Sequence, residues 1–253
     1  MSVSKAIIRV IHLEKSFSKG ERGEPLKVLA GIDLSISEGE FISILGPSGC
    51  GKSTFLHILA GLDKQDEGEV YLDDRLITGP GPDHTMIFQD YSLFPWMTVK
   101  KNIELGLRAI GIPPEKREAI CREHIQLVHL EGFEDHYPHE LSGGMKQRVA
   151  IARGFALNPR VLFMDEPFGA LDAQTRVTLQ QELIRIFTST RKTIVFVTHN
   201  VSEAVFLSDR IVVCTKRPMK VKTIFCVEIE RPRDRFGVSF NEFCKGVAQV
   251  LDV

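Results

Sequence analysis

Phe41-Ile42-Ser43-Ile44-Leu45-Gly46-Pro47-Ser48-Gly49-Cys50-Gly51-Lys52-Ser53-Thr54 joins an apolar run, a glycine-rich turn and the start of a helical pattern. From Gly46 to Ser53 it matches G-x-x-x-x-G-K-[ST], with a strand predicted before it and a helix from about Lys52 to Ala60 after it. Glycines let successive backbone N–H groups turn inward around an anion, and the helix N-terminus adds partial positive charge. Lys52 is then placed to reach β- and γ-phosphates, and the Ser53 hydroxyl to ligate Mg²⁺. Gly61 falls where the residue after a helix end is expected. Cys50, beside Lys52 and a helix N-terminus, is expected to carry a lowered thiol pKa; the alternative is a small filler of the loop.

Four further short apolar runs extend the pattern: Thr85 to Phe88, Val161 to Met164, Thr193 to Thr198 and Ile211 to Cys214. Continuous apolar strands with helices between them imply an α/β fold, a mostly parallel sheet covered on both faces. In such sheets ligands bind beyond the carboxyl ends of the strands. Those ends carry Gly46 onward, Gln89, Asp165-Glu166 and His199. Adjacent side chains of an extended chain point to opposite sides, so Asp165 can face Mg²⁺ and its waters while Glu166 faces the attacking water. For Gln89 and His199 taken singly, a polar residue leaving the core is the other reading.

Residues 94–158 differ, with helical patterns such as Cys121, Ile125 and Val128, and with prolines at 113, 114 and 138. They read as a helical insertion. Within it, Ser142-Gly143-Gly144-Met145 opens a helical pattern carrying Met145, Val149, Ala152 and Ala156 on one face. Ser142 suits an N-cap, and the two glycines expose amides at a positive helix end, a second anion site or an ordinary capped helix. The pattern leaves the anion open. Residues 19–27 read as a polar hairpin or surface loop, and Phe243, Val247, Val250 and Leu251 as one face of a docked helix.

Composition narrows the class. At 253 residues the chain makes one large domain or two small ones, by about 150 per domain. With 32 basic and 33 acidic residues the net charge is −1, which excludes a general basic field of the kind that holds nucleic acid. No run approaches the roughly 18 apolar residues that cross a bilayer, and residues 1–9 lack the pattern of a signal peptide. Five scattered cysteines without a C-x-x-C fit a reducing, cytoplasmic setting.

The order GPSGCGKST, Gln89, LSGGMKQR, VLFMDEP, Gly169-Ala170-Leu171-Asp172 and His199 resembles the ATP-binding subunit of ABC transporters, over residues 6–225. Gly79-Pro80-Gly81-Pro82-Asp83, Leu93-Phe94-Pro95-Trp96-Met97-Thr98-Val99 and Arg231-Pro232-Arg233-Asp234 resemble the nitrate/sulfonate/taurine importer group. The resemblance implies a P-loop NTPase core of RecA type (about 1–93 and 159–225), a helical subdomain (about 94–158), a small antiparallel β part and a C-terminal extension (about 226–253). It also implies that Phe17 stacks on adenine, where the residue-level alternative is a core phenylalanine. Gly46, Pro47, Ser48, Gly49, Cys50, Gly51, Lys52, Ser53 and Thr54 would cradle the phosphates of ATP. Ser53 and Asp165 would hold Mg²⁺, Asp165 through its water shell, and Gln89 would contact Mg²⁺ or the attacking water and report to a membrane partner. Glu166 would act as general base or water-orienting group, with His199 on the γ-phosphate. Ser142, Gly143, Gly144 and Met145 would complete the ATP site of a second copy of the chain, and Leu171-Asp172 would lie on the dimer seam. Met145 departs from the glutamine frequent at its position, and Phe17 from the frequent tyrosine.

The implied partners are a second copy, integral membrane transporter subunits and, indirectly, a substrate-binding protein, with no nucleic acid. The implied place is the cytoplasmic side of the cell membrane. Phe94 to Met97 reads as the contact with a membrane-subunit helix, or as a packed loop of the helical insertion. Two other readings of the chain are a soluble ABC ATPase acting on nucleic acid or ribosomes, and a regulatory protein that binds ATP without turnover.

Overall fold

Residues 5–18 and 25–251 are described in a computed structural model. Most of the expected polar loop, residues 19–24, lies outside them, and Leu26 and Lys27 already belong to a strand. The chain divides into two compact units, Met1–Pro80 with Thr193–Val253, and Gly81–Lys192.

The first unit holds two sets of strands. Strands β1 (Ala6–Phe17), β2 (Leu26–Ser37), β4 (Glu67–Leu72) and β5 (Arg75–Leu76) form an antiparallel sheet in the order β2-β1-β4-β5. Strands β3 (Phe41–Leu45), β8 (Thr193–Thr198), β9 (Arg210–Cys214) and β10 (Val221–Cys226) form the second set. β3 runs parallel to both β8 and β9, and β10 closes an antiparallel hairpin on β9. Every residue of β3 and β8 is buried, which explains their continuous apolar runs. Ser43, the polar exception in β3, shares a hydrogen bond with the buried Ser208 hydroxyl.

Helix α1 (Lys52–Leu59) packs on β8 and α6 (Val201–Leu207) on β3. Gly61 has φ +68; its N–H donates to Ile58 O and that of Leu62 to His57 O, ending α1 in a two-bond glycine cap. Helix α7 (Val238–Leu251) docks on α6 and β9 through buried Phe240 and Val247, with Phe243 edge-on to Phe225.

The second unit pairs β6 (His84–Ile87) with the fully buried β7 (Val161–Asp165) in parallel. Its helices are α2 (Val99–Ala109), α3 (Pro114–Leu127), α4 (Gly143–Ala156) and α5 (Ala173–Thr190). α2, α3 and α4 pack on one another, and α4 also lies on β6 and α5. Cys121, Ile125 and Val128 are buried, as their spacing predicts. Among the described residues no helix is long and apolar enough to cross a membrane.

Candidate functional site

In the first unit Leu45 of β3 lies opposite Thr198 of β8 in parallel register, so Gly46 and His199 leave neighbouring strands on one edge. Gly49 (φ +74) and Gly51 (φ +127) take backbone conformations that strain an L side chain, and a Cβ on Gly51 would lie 2.9 Å from Val28 Cγ1. No side chain caps α1, which suits an end that receives an anion. Lys52 is only 4% exposed, and its ammonium donates to the Gly46 and Pro47 carbonyls at 2.9 and 3.1 Å. An anion in the loop competes with these carbonyls for a cation already held there. A glycine cradle with a buried ammonium fits a polyphosphate.

The expectation for Cys50 is overturned. Its side chain is buried, and burial pushes the thiol up; Lys52 and backbone N–H groups pull the other way and lose. A Cβ on Gly46 would sit 3.1 Å from Cys50 Sγ and 3.2 Å from Cys214 Cβ, so the thiol fills the space beneath the loop.

Beyond His199, the Thr198 hydroxyl donates to Glu203 Oε2 (2.7 Å) and accepts from the Asn200 N–H (3.0 Å). Asn200 Oδ1 caps α6 by accepting from the Glu203 N–H at 3.1 Å. Phe17, at the end of β1, is 41% exposed with the Lys15 ammonium 5.2 Å from its ring centroid, so it is not a core phenylalanine.

In the second unit Ile87 lies opposite Met164, so Gln89 and the Asp165-Glu166 pair leave the same edge of β6 and β7. Asp165 is buried and Glu166 half-buried. Glu166 has φ +41, a left-handed conformation uncommon outside glycine, and its carbonyl accepts from the Gly169 N–H at 3.0 Å. A Cβ on Gly169 would lie 3.6 Å from Gln89 Nε2, which places that amide over the turn after β7.

Two left-handed residues, Tyr91 and Ser92, follow Gln89. Arg153 of α4 holds them, donating to the Tyr91 carbonyl at 2.9 Å and the Ser92 carbonyl at 2.6 Å, and burial lowers its pKa from the ordinary arginine value. Ser142 Oγ accepts from the Met145 N–H (3.3 Å), capping α4. A Cβ on Gly143 would lie 3.4 Å from the Tyr91 hydroxyl, and one on Gly144 only 2.6 Å from Thr175 Cγ2. Asp172 Oδ1 accepts from the Thr175 N–H (3.0 Å) at the head of α5, and that bond holds the carboxyl below its ordinary pKa.

Trp96 is 69% exposed, with Phe94 at 5.6 Å between ring centroids. Their loop is fixed by the buried Asn102, whose side chain accepts from the Phe94 N–H and donates to the Phe94, Met97 and Thr98 carbonyls. An apolar groove of about 410 Å³ beside it is lined by Met86, Phe88, Phe94, Leu105 and Leu157. Arg153 and Asn102 were missed in the sequence. Each is one polar residue on a helix, and their acceptors are backbone carbonyls that leave no trace in composition.

The expected site residues are thus divided: residues 46–54, Phe17 and His199 belong to the first unit, and Gln89, Ser142–Met145, Asp165 and Glu166 to the second.

The family model described as ABC transporter matches residues 29–169. An uncharacterised ABC transporter ATP-binding protein of Methanocaldococcus jannaschii is 51% identical, over 98% of this chain and 92% of its own. The bicarbonate transport ATP-binding protein of Synechococcus elongatus is 53% identical over 91% of this chain, which spans only 35% of that relative. An aliphatic sulfonates import ATP-binding protein of Bacillus cereus is 44% identical, over 95% of this chain and 94% of its own. Among solved structures, a dimeric ATP-binding cassette in a post-hydrolysis state with ADP and Pi matches at a TM-score of 0.78 and 35% identity, over 88% of this chain and all of that one. The motif order, a family model matching more than half of its length and a relative 51% identical over nearly all of it establish that this chain belongs to the ABC transporter family, as an ATP-binding and ATP-hydrolysing subunit with the P-loop fold of that family.

Proposed function

We propose that this chain energises the import of a small anion, of the nitrate, sulfonate, taurine or bicarbonate kind. It works as one of two identical cassettes seated on membrane subunits at the cytoplasmic face, with a substrate-binding protein delivering the anion. One observation carries this reading: the likeness to ATP-binding proteins of bicarbonate and sulfonate transport covers at least 91% of the chain.

The roles are those that the likeness to ABC transporter ATP-binding subunits implies, and the chemistry of each side chain suits them. The glycine cradle and Lys52 hold the polyphosphate, and Phe17 offers its exposed ring to adenine. Ser53, Gln89 and Asp165 would hold Mg²⁺, and the ion would supply charge neutralisation at the phosphates. Glu166 orients the attacking water and takes its proton, and His199 donates to the γ-phosphate. Ser142, Gly143, Gly144 and Met145 of one copy close over the nucleotide of the other, and Leu171-Asp172 lies on the seam. Closure excludes water and strengthens every electrostatic contact inside. Trp96, Phe94 and the apolar groove beside them receive a helix of the membrane subunit, so that closing of the cassettes moves it.

Reconstitution in liposomes with the membrane subunits and binding protein tests the reading. One of the named anions is expected to raise ATP turnover and to accumulate inside. Stimulation by a cationic or apolar solute instead would discard the anion.

A further inference from the structure

The turn joining β9 to β10, residues 215–220, is held more firmly than a surface turn requires. The Thr215 N–H donates to the Lys220 carbonyl, the Lys220 N–H to Thr215 Oγ1, and the Thr215 hydroxyl to the Pro218 carbonyl, each at 3.0 Å. Met219 is buried and makes two backbone bonds with β2. It donates to the Val28 carbonyl at 2.8 Å and accepts from the Ala30 N–H at 3.1 Å. Val28 also backs the phosphate loop, because its side chain and carbonyl fill the space where Gly51 has no Cβ. Turn and loop therefore rest on the same stretch of one strand.

From this turn Arg217 reaches the loop. Its Nε donates to the Gly49 carbonyl at 3.0 Å, and its Nη2 donates to the same oxygen. The two residues are 168 positions apart, and Arg217 belongs to none of the motifs. Gly49 is left-handed, a conformation in which the carbonyl turns away while the amides that follow can turn toward an anion. A guanidinium fork on that carbonyl grips the loop through two donors set in a rigid plane.

We propose that Arg217 is a positioning residue for Mg-ATP: it holds the phosphate loop in its receiving conformation before the nucleotide arrives, and adds a positive charge beside the polyphosphate. This rests on Gly46 to Thr54 being the phosphate cradle. Ordering the loop in advance removes part of the entropy that binding otherwise costs, so the effect belongs in affinity and not in the chemical step.

The side chain is exposed, so its replacement leaves the core intact. In the full chain, Arg217→Ala is expected to raise both the Mg-ATP dissociation constant, measured by calorimetry, and KM by about fivefold, the size of an exposed charge-assisted bond, with kcat within about twofold. Without nucleotide, amide hydrogen exchange should quicken at residues 46–54 and stay unchanged at 210–226. Arg217→Lys, which keeps one donor, should recover most of the affinity. Unchanged affinity in Arg217→Ala, a fall in kcat at constant KM, or faster exchange spread through 210–226 would each overturn the proposal. Lys52→Ala separates the two levels. If it too binds Mg-ATP normally, the cradle assignment fails; if it loses binding while Arg217→Ala does not, the cradle stands and the anchor falls.

Discussion

Glu166 combines two facts that the sequence shows only in part. Its carboxylate after an apolar strand was legible, because strand ends in an α/β sheet are where ligands sit. Its left-handed backbone was not, since nothing in VLFMDEP distinguishes a strained residue from an ordinary one. Such a conformation costs about 1–3 kcal/mol and persists only where the surroundings enforce it, as the Gly169 N–H bond to its carbonyl does here. Glu166→Gln keeps the shape and removes the proposed base. It should bind Mg-ATP while turnover falls about 10²- to 10⁴-fold, with ATP trapping a dimer visible by size-exclusion chromatography. Cys50 teaches the converse. Composition placed a thiol beside a lysine and a helix end, but its burial, which the sequence does not display, decides its chemistry. With the thiol pushed up, maleimide should modify the exposed Cys226 well before Cys50 or Cys214, as peptide mass spectrometry would show.

Elements were legible where one physical demand dominated. The buried strands β3, β7 and β8 read as apolar runs because both faces are covered, and α4 read correctly because Ser142 caps it. The long strands β1 and β2 escaped a residue-level reading. Their register shifts between Val10 and Leu13 and again before Ser16, and His12 and Gly31 are left-handed, so the alternation that marks a strand is interrupted. The head of α4 offers a test at this scale. Gly144→Ala drives a methyl against Thr175 Cγ2 on α5 and should cost about 1–3 kcal/mol by overpacking. Thr175→Ser removes the opposing methyl, so the double variant should regain most of the loss in a urea titration. Equal stabilities of single and double variants would show that α4 and α5 yield without strain.

At the scale of the molecule, the expected site residues fall in two units, the second a continuous stretch that interrupts the first in sequence, a division that motif order alone does not reveal. On the proposed reading a single copy also lacks a second copy's Ser142–Met145 over its own phosphate loop. Specific ATPase activity should therefore rise with protein concentration and approach zero in dilute solution. Measuring turnover across a hundredfold dilution checks this, and a constant value would mean that one copy suffices.

Trp96 carries a practical corollary. It is the chain's one tryptophan, and it stands in solvent on a loop pinned by Asn102. Its fluorescence should already be red-shifted in the native protein, so emission will scarcely register unfolding of the core. If a membrane subunit docks there as proposed, that same residue becomes an intrinsic optical reporter of the event, its emission moving to the blue as the indole is covered.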